Sequence, residues 1–155
     1  MTAGGSASAR LAELGITLPP VTAPLAAYVP AVRTGNLVYT SGQLPMEGGK
    51  PTHFGLVGAE VTPEQGKTAA RTCALNAIAA IDALVGVDAV VRVVKVVGFV
   101  ASAPGFTGQP GVVNGASELL GEIFGEAGAH ARSAVGVAAL PLEVPVEVEV
   151  IVEVA

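Results

Sequence analysis

Arg132 is the residue in this 155-residue chain whose setting most demands a chemical explanation. It is the only Lys or Arg after Lys95, and residues 118–153 around it carry seven carboxylates: Glu118, Glu122, Glu126, Glu143, Glu147, Glu149 and Glu153. A guanidinium entering an apolar stretch must be paired or face a cleft, because an isolated buried charge loses its solvation. Two readings stay open at this level. Arg132 is one half of a structural ion pair, or it is a planar fork that grips a ligand carboxylate through two hydrogen bonds.

The other polar residues give weaker signals. Glu147 alternates with Val along 146–154, so it is either a solvated strand position or a base that orients a water. Glu149 and Glu153 share its face and look no different in sequence. His130 stands two residues before Arg132 and would share its face on an extended chain. A general-base role and a capping role at a helix end both fit it. His53 lies far away in sequence. Cys73 falls on an apolar helical stripe and reads as core, with no activating partner in view. Asn114 reads as an exposed or capping polar group, and Tyr28 and Tyr39 sit in strand contexts. The segments GQPGVVNG and EGGKPTHFG lack the spacing of a phosphate loop. No Ser occupies a nucleophile elbow.

Composition narrows the classes. Hydrophobic residues are 51% and charged residues 14% of the chain, which demands a packed core rather than disorder. One Cys and two His exclude a disulfide framework and a standard zinc site. A net charge of −5 without a basic run argues against nucleic acid as the partner. Asp82, Asp88, Arg92 and Lys95 interrupt the most apolar region, so no membrane-spanning stretch is expected. Arg10 and Glu13 fall where a signal peptide would be apolar, and a reduced, cytoplasmic setting is expected.

These residues need elements to position them. Residues 1–24 are expected as a flexible leader draped on a single domain of residues 25–155. Within it, 1–9 should be frayed, 11–16 should make one helical turn, and the proline-rich 18–24 should connect. Residues 29–41 read as a hairpin around Thr34-Gly35-Asn36. Residues 46–61 are a Gly-rich excursion with a short strand near Leu56-Val57. Thr62-Pro63-Glu64-Gln65 is a helix start with a capping box. Apolar residues at 70, 74, 77, 78, 81, 84 and 85 continue that helix to Gly86. A buried strand follows over 91–101, then a helix over 110–124. Gly111, Gly115 and Gly121 weaken that helix, so packing must hold it. Strands at 132–140 and 146–154 close the chain. The class is α+β: a mixed sheet with two helices on one face. The other sheet face, rich in Val, needs cover, and self-association is the economical answer.

Several of these segments together resemble the Rid (YjgF-like) family. Tyr28-Val29 and Gly35 through Pro45 (GNLVYTSGQLP) are similar to its first hairpin. Ala131-Arg132-Ser133, Leu140-Pro141 and Val146-Glu147-Val148-Glu149 are similar to its C-terminal signature. Residues 76–86 resemble its first helix and Val113-Asn114 its second. The resemblance spans about residues 25–154 and points to a longer, divergent subgroup.

The resemblance implies a chorismate-mutase-like fold and a homotrimer with ligand clefts between subunits. It implies hydrolysis of reactive enamines and imines, such as 2-aminoacrylate, to 2-keto acids and ammonia, with neither cofactor nor metal. Carried onto this sequence, the carboxylate-binding arginine is Arg132 and the water-positioning glutamate is Glu147. Cleft-lining residues become Tyr28, Ser41 and Asn114. Ala134 stands where many members have Cys, leaving its backbone to contact ligand. Gly136 stands where many have Glu. These departures keep two alternatives in view: a trimer that binds small carboxylates without catalysis, and another small-acid hydrolase or lyase on the same fold.

Overall fold

The computed structural model describes residues 5–21 and 26–155. Residues 1–4 and 22–25, which take in parts of the expected leader with its proline-rich connector and the first residue of the expected domain, lie outside them.

A five-stranded sheet in the order β1-β2-β7-β5-β6 forms the frame. Its strands are β1 (Ala31–Thr34), β2 (Leu37–Thr40), β5 (Val90–Ala101), β6 (Ala131–Val137) and β7 (Val146–Val154). The pair β5 and β6 is parallel, and the other neighbours are antiparallel. A small separate hairpin pairs β3 (Met46–Glu47) with β4 (Lys50–Pro51). Helices α2 (Pro63–Val85) and α3 (Gln109–Phe124) cover one face of the sheet.

β7 shows why that face is the core. Val146, Val148, Val150, Val152 and Val154 are all buried, and the intervening Glu147, Glu149, Ile151 and Glu153 are half-buried on the other side. A strand's period of two sends alternate side chains to opposite faces, so one apolar set is aimed at the helices. Each fully buried Val contributes roughly 1.5–3 kcal/mol relative to exposure.

α2 begins as its sequence predicts. Gln65 N–H donates to Thr62 Oγ1 at 3.1 Å and Thr62 N–H donates to Gln65 Oε1 at 2.9 Å. Gly86 ends the helix at φ 83°, a left-handed value that favours glycine. Ala70, Ala74, Ala77, Ile78 and Ile81 are buried as expected, while Leu84 points out. By length and apolar composition alone α2 could cross a membrane, which the sequence reading had not expected of any segment. Its apolar stripe is instead spent on the core of this domain.

α3 carries the glycines that should weaken it. At Gly115 a Cβ would run into the Lys67 carbonyl of α2, so this glycine lets the two helices approach closely. Packing, not propensity, therefore accounts for α3.

Two segments differ from expectation. Residues 7–13 form a helix, α1 (Ala7–Glu13), where fraying to residue 9 and one later turn were expected. Ser6 caps it, Ala7 and Leu11 are buried, and Ser8 bonds Asp88 through both N–H (2.8 Å) and hydroxyl (2.6 Å). Residue Val57 makes single bridges to Val61 and Ser102 in place of a short strand. It is nonetheless fully buried.

Candidate functional site

Arg132 lies on the edge strand β6 opposite Val96, which is fully buried against the helices. Paired residues share a face, so the Arg132 side chain leaves on the helical side and reaches α3. There Nη1 donates to Asn114 Oδ1 at 2.7 Å and to Ser117 Oγ at 3.1 Å. Nη2 donates to the Pro110 carbonyl at 3.3 Å. All three acceptors are neutral. No carboxylate forms an ion pair with Arg132 among the described residues. Of five N–H groups, the Nε hydrogen and one on Nη2 have no partner among those residues.

The seven nearby carboxylates therefore do not neutralise it. Glu118 and Glu122 pair with Lys67 and Arg71 across the α2–α3 seam. Glu147, Glu149 and Glu153 point to the opposite sheet face.

Glu147 pairs with Phe99 on β5, and Phe99 with Val135 on β6. It therefore stands on the face without helices, two strand spacings (about 10 Å) from β6. Its carboxyl packs over Gly42, where any Cβ would fall inside the carboxyl group. Burial raises its pKa above the ordinary 4.5, and the charge of Glu149 adds to the rise. Glu147 is thus set apart from strand neighbours that look identical in sequence.

The expected cleft residues fall into two groups. Asn114 and Ala134 accompany Arg132: Asn114 holds the guanidinium, and Ala134 follows two residues along the same strand face, packed on the core. Tyr28 and Ser41 belong with Glu147. The Ser41 hydroxyl donates to the Val29 carbonyl at 2.6 Å, beside the exposed Tyr28, and Ser41 precedes Gly42. Gln43 then pairs with Val148 on β7 through both backbone groups, at 2.7 and 3.0 Å. Within one chain the sheet separates the two groups.

Gly136 has a local reason. The Gln109 amide lies over it, and a Cβ there would approach Nε2 to 2.8 Å. Gln109 donates to the Phe106 carbonyl (2.8 Å) and to Ser102 Oγ (3.1 Å). The remaining candidates stand apart. His53 Nδ1 meets Thr52 Oγ1 at 2.9 Å near the small hairpin. Cys73 is buried, its thiol donates to the Val146 carbonyl at 3.6 Å, and burial pushes its pKa well up. It is core, as its sequence position suggested. Among the described residues no three His, Cys, Asp or Glu side chains are grouped to hold a metal ion.

This architecture and these segments match known proteins. A family model described as "YjgF/chorismate mutase-like, putative endoribonuclease" matches residues 8–154. The chain belongs to the Rid (YjgF-like) family. Protein TCP17 of Trypanosoma cruzi is 46% identical over 155 residues, covering 99% of this chain and 97% of that protein. The crystal structure of Atu1372 from Agrobacterium tumefaciens superposes with a TM-score of 0.88 at 48% identity, over 96% of this chain and 92% of that one. A Shewanella oneidensis structure, whose name carries the same endoribonuclease wording, gives 0.92 at 34% identity over 97% and 100%. The family match starts at residue 8, so it takes in most of the segment set aside as a leader.

Three Rid-domain residues escaped the sequence reading. Ser117 binds Arg132, Gln109 covers Gly136, and buried Asn76 donates to the Leu44 and Met46 carbonyls at 3.1 and 3.0 Å. Asn76 thereby ties the loop after Ser41-Gly42-Gln43 to α2. Ser117 alone left a trace: with Asn114 it makes a neutral polar pair three apart on one stripe of α3.

Proposed function

We propose that this protein hydrolyses reactive 2-imino acids, the tautomers of enamines such as 2-aminoacrylate, to 2-keto acids and ammonia. One observation carries the reading: Arg132 is tethered by three neutral acceptors, has no carboxylate partner among the described residues, and keeps two N–H groups for a ligand. Such a guanidinium is a ready fork for a planar carboxylate.

The enamine first becomes a protonated imine by taking a proton on its terminal carbon. Arg132 then fixes the carboxylate, which orients the adjacent C=N carbon for attack. Glu147 accepts a proton from water as the water oxygen bonds to that carbon, giving a carbinolamine. Glu147 returns that proton to nitrogen, the C–N bond breaks, and ammonia leaves as the hydroxyl gives its proton to Glu147 and the carbonyl forms. A protonated imine is a strong electrophile, so positioning and modest base catalysis suffice.

The sheet puts Arg132 and Glu147 of one chain on opposite faces. A site using both takes Arg132 from one copy and Glu147 from another, which makes the homotrimer part of this proposal. The uncovered face, where Val32, Tyr39 and Val135 are exposed, suits such an assembly.

A second reading has an observation in its favour. The Arg132 group is complete within one chain without Glu147, as a carboxylate binder would need. The endoribonuclease wording of the family description competes less well. A net charge of −5 and a single cation after Lys95 offer little to a phosphate backbone.

A coupled assay decides. Serine dehydratase generates 2-aminoacrylate, and keto-acid release is followed with wild type, Arg132→Ala and Glu147→Gln. Acceleration by wild type that both variants lose supports the deaminase. Acceleration surviving Glu147→Gln removes Glu147 from the chemistry. No acceleration, with pyruvate binding that depends on Arg132, leaves the binder. Cleavage of a single-stranded RNA by wild type but not by Arg132→Ala would transfer the site to the third reading.

A further inference from the structure

The acceptors that hold Arg132 continue into a second layer. Pro110, Asn114 and Ser117 lie four and three residues apart along α3, so their oxygens line one stripe of the helix. Ser117 Oγ also meets His130 Nε2 at 2.9 Å, and His130 Nδ1 meets the Gly128 carbonyl at 2.6 Å. A carbonyl can only accept, so Nδ1 carries the ring hydrogen. In the neutral ring Nε2 is then an acceptor and takes the Ser117 hydroxyl hydrogen. Ser117 Oγ turns its lone pairs to Arg132 Nη1. Every donor faces an acceptor along the path from Arg132 through Ser117 and His130 to Gly128.

We propose that Ser117 and His130 are positioning residues for Arg132: His130 sets the direction of the Ser117 hydroxyl, and Ser117 with Asn114 occupies both Nη1 hydrogens. The guanidinium plane is thereby locked so that Nε and Nη2 remain for the ligand carboxylate. This rests on the carboxylate-fork reading of Arg132 and adds the residues that set its orientation. Neither side chain need touch substrate. Without the histidine acceptor, the Ser117 hydroxyl is free to rotate its hydrogen toward Nη1, where it opposes the bond.

The test reads orientation and binding separately. In the unliganded protein, nuclear magnetic resonance of the Arg132 side chain reports rotation about its Nε–Cζ bond. Slow rotation with resolved Nη1 hydrogens is expected in wild type, and averaged signals in Ser117→Ala and His130→Leu. His130→Gln presents an amide oxygen near the Nε2 position and should restore slow rotation. It also guards against loss of fold in His130→Leu, and melting temperatures are compared throughout. Pyruvate is the binding probe. Its Kd should rise about tenfold in Ser117→Ala and His130→Leu, equivalent to about 1.4 kcal/mol, and stay near wild type in His130→Gln. In the imine assay, KM should rise with kcat little changed.

Unchanged slow rotation in both Ser117→Ala and His130→Leu would overturn the proposal, whatever pyruvate does. Normal pyruvate binding in those two variants, with binding lost in Arg132→Ala, would overturn it while the fork reading stands. Pyruvate binding indifferent to Arg132→Ala would instead remove the fork reading itself, leaving the rotation measurement to decide the positioning role.

Discussion

At the scale of residues, Arg132 and Glu147 make different demands. Two charge-assisted hydrogen bonds from Arg132 to a carboxylate are worth roughly 1.5–3 kcal/mol each. Arg132→Ala should therefore lower kcat/KM by about 10²–10⁴, at about 1.4 kcal/mol per decade. Arg132→Lys keeps the charge but not the planar fork and should also be badly impaired. Because Arg132 has no ion-pair partner among the described residues, its loss orphans no buried carboxylate, and the melting temperature should hardly move. A large drop in melting temperature with activity intact would mark Arg132 as structural. Glu147→Gln should lower kcat more than it weakens pyruvate binding, since the amide keeps the shape and loses the basicity. The raised pKa of Glu147 has a sign. Its protonated form is favoured by the fold, so its contribution to stability is present below 4.5 and is lost as pH rises through the folded value. The proposed base works in its ionised form, so activity should run the other way, falling as pH drops through that same value. A pH profile of kcat whose acidic limb vanishes in Glu147→Gln is the expected outcome.

At the scale of elements, α1 is a clasp on the core. Ser8 donates two hydrogen bonds to the Asp88 carboxylate, and these bonds hold the Asp88 pKa below its ordinary 3.8. The sign is opposite to that of Glu147. The contribution is full above 3.8 and is lost as pH falls through the depressed value. Asp88→Asn should speed amide exchange in residues 7–13 at neutral pH and leave α2 and β7 protected. Equal exchange in variant and wild type would show that buried Ala7 and Leu11, with the Arg10 bond to the Glu122 carbonyl, dock the helix without Asp88. β7 answers to packing. Val150→Ala removes about two methylene groups at about 0.8 kcal/mol each, with a further cost for the cavity. It should lower the urea midpoint without changing the denaturant slope.

At the scale of the whole molecule, the proposed chemistry needs more than one chain. One face of the sheet is covered by α2 and α3, and the other presents Glu147 among Val32, Tyr39 and Val135. Light scattering should give three times the 15.3 kDa chain mass. Complementation gives a sharper result. Arg132→Ala and Glu147→Gln should each be severely impaired alone, and mixed trimers should regain activity, since some clefts then draw both wild-type residues. Absence of any recovery after refolding the two variants together would place both residues in one subunit's site or outside it.

The chain's local patterns were legible because they depend on neighbours a few residues away. The Val alternation of β7 is read from the period of a strand, and the α2 start from a capping box spanning four residues. The motif around Arg132 was likewise visible, with enough of its surroundings to suggest a carboxylate ligand. Tertiary structure decided what pattern could not. Glu147 differs from Glu149 because Gly42, over a hundred residues earlier in the chain, leaves space for its carboxyl. Ser117 and His130 join Arg132 in one hydrogen-bonded row because the parallel pairing of β6 with β5 lays that strand's edge beside α3. Strand order and register set such contacts between residues far apart in sequence, and side-chain spacing along the chain records them only faintly, as in the three-residue step from Asn114 to Ser117 and the two-residue step from His130 to Arg132. The burial that shifts a pKa, and the face of the sheet on which a charge emerges, belong to the folded molecule alone.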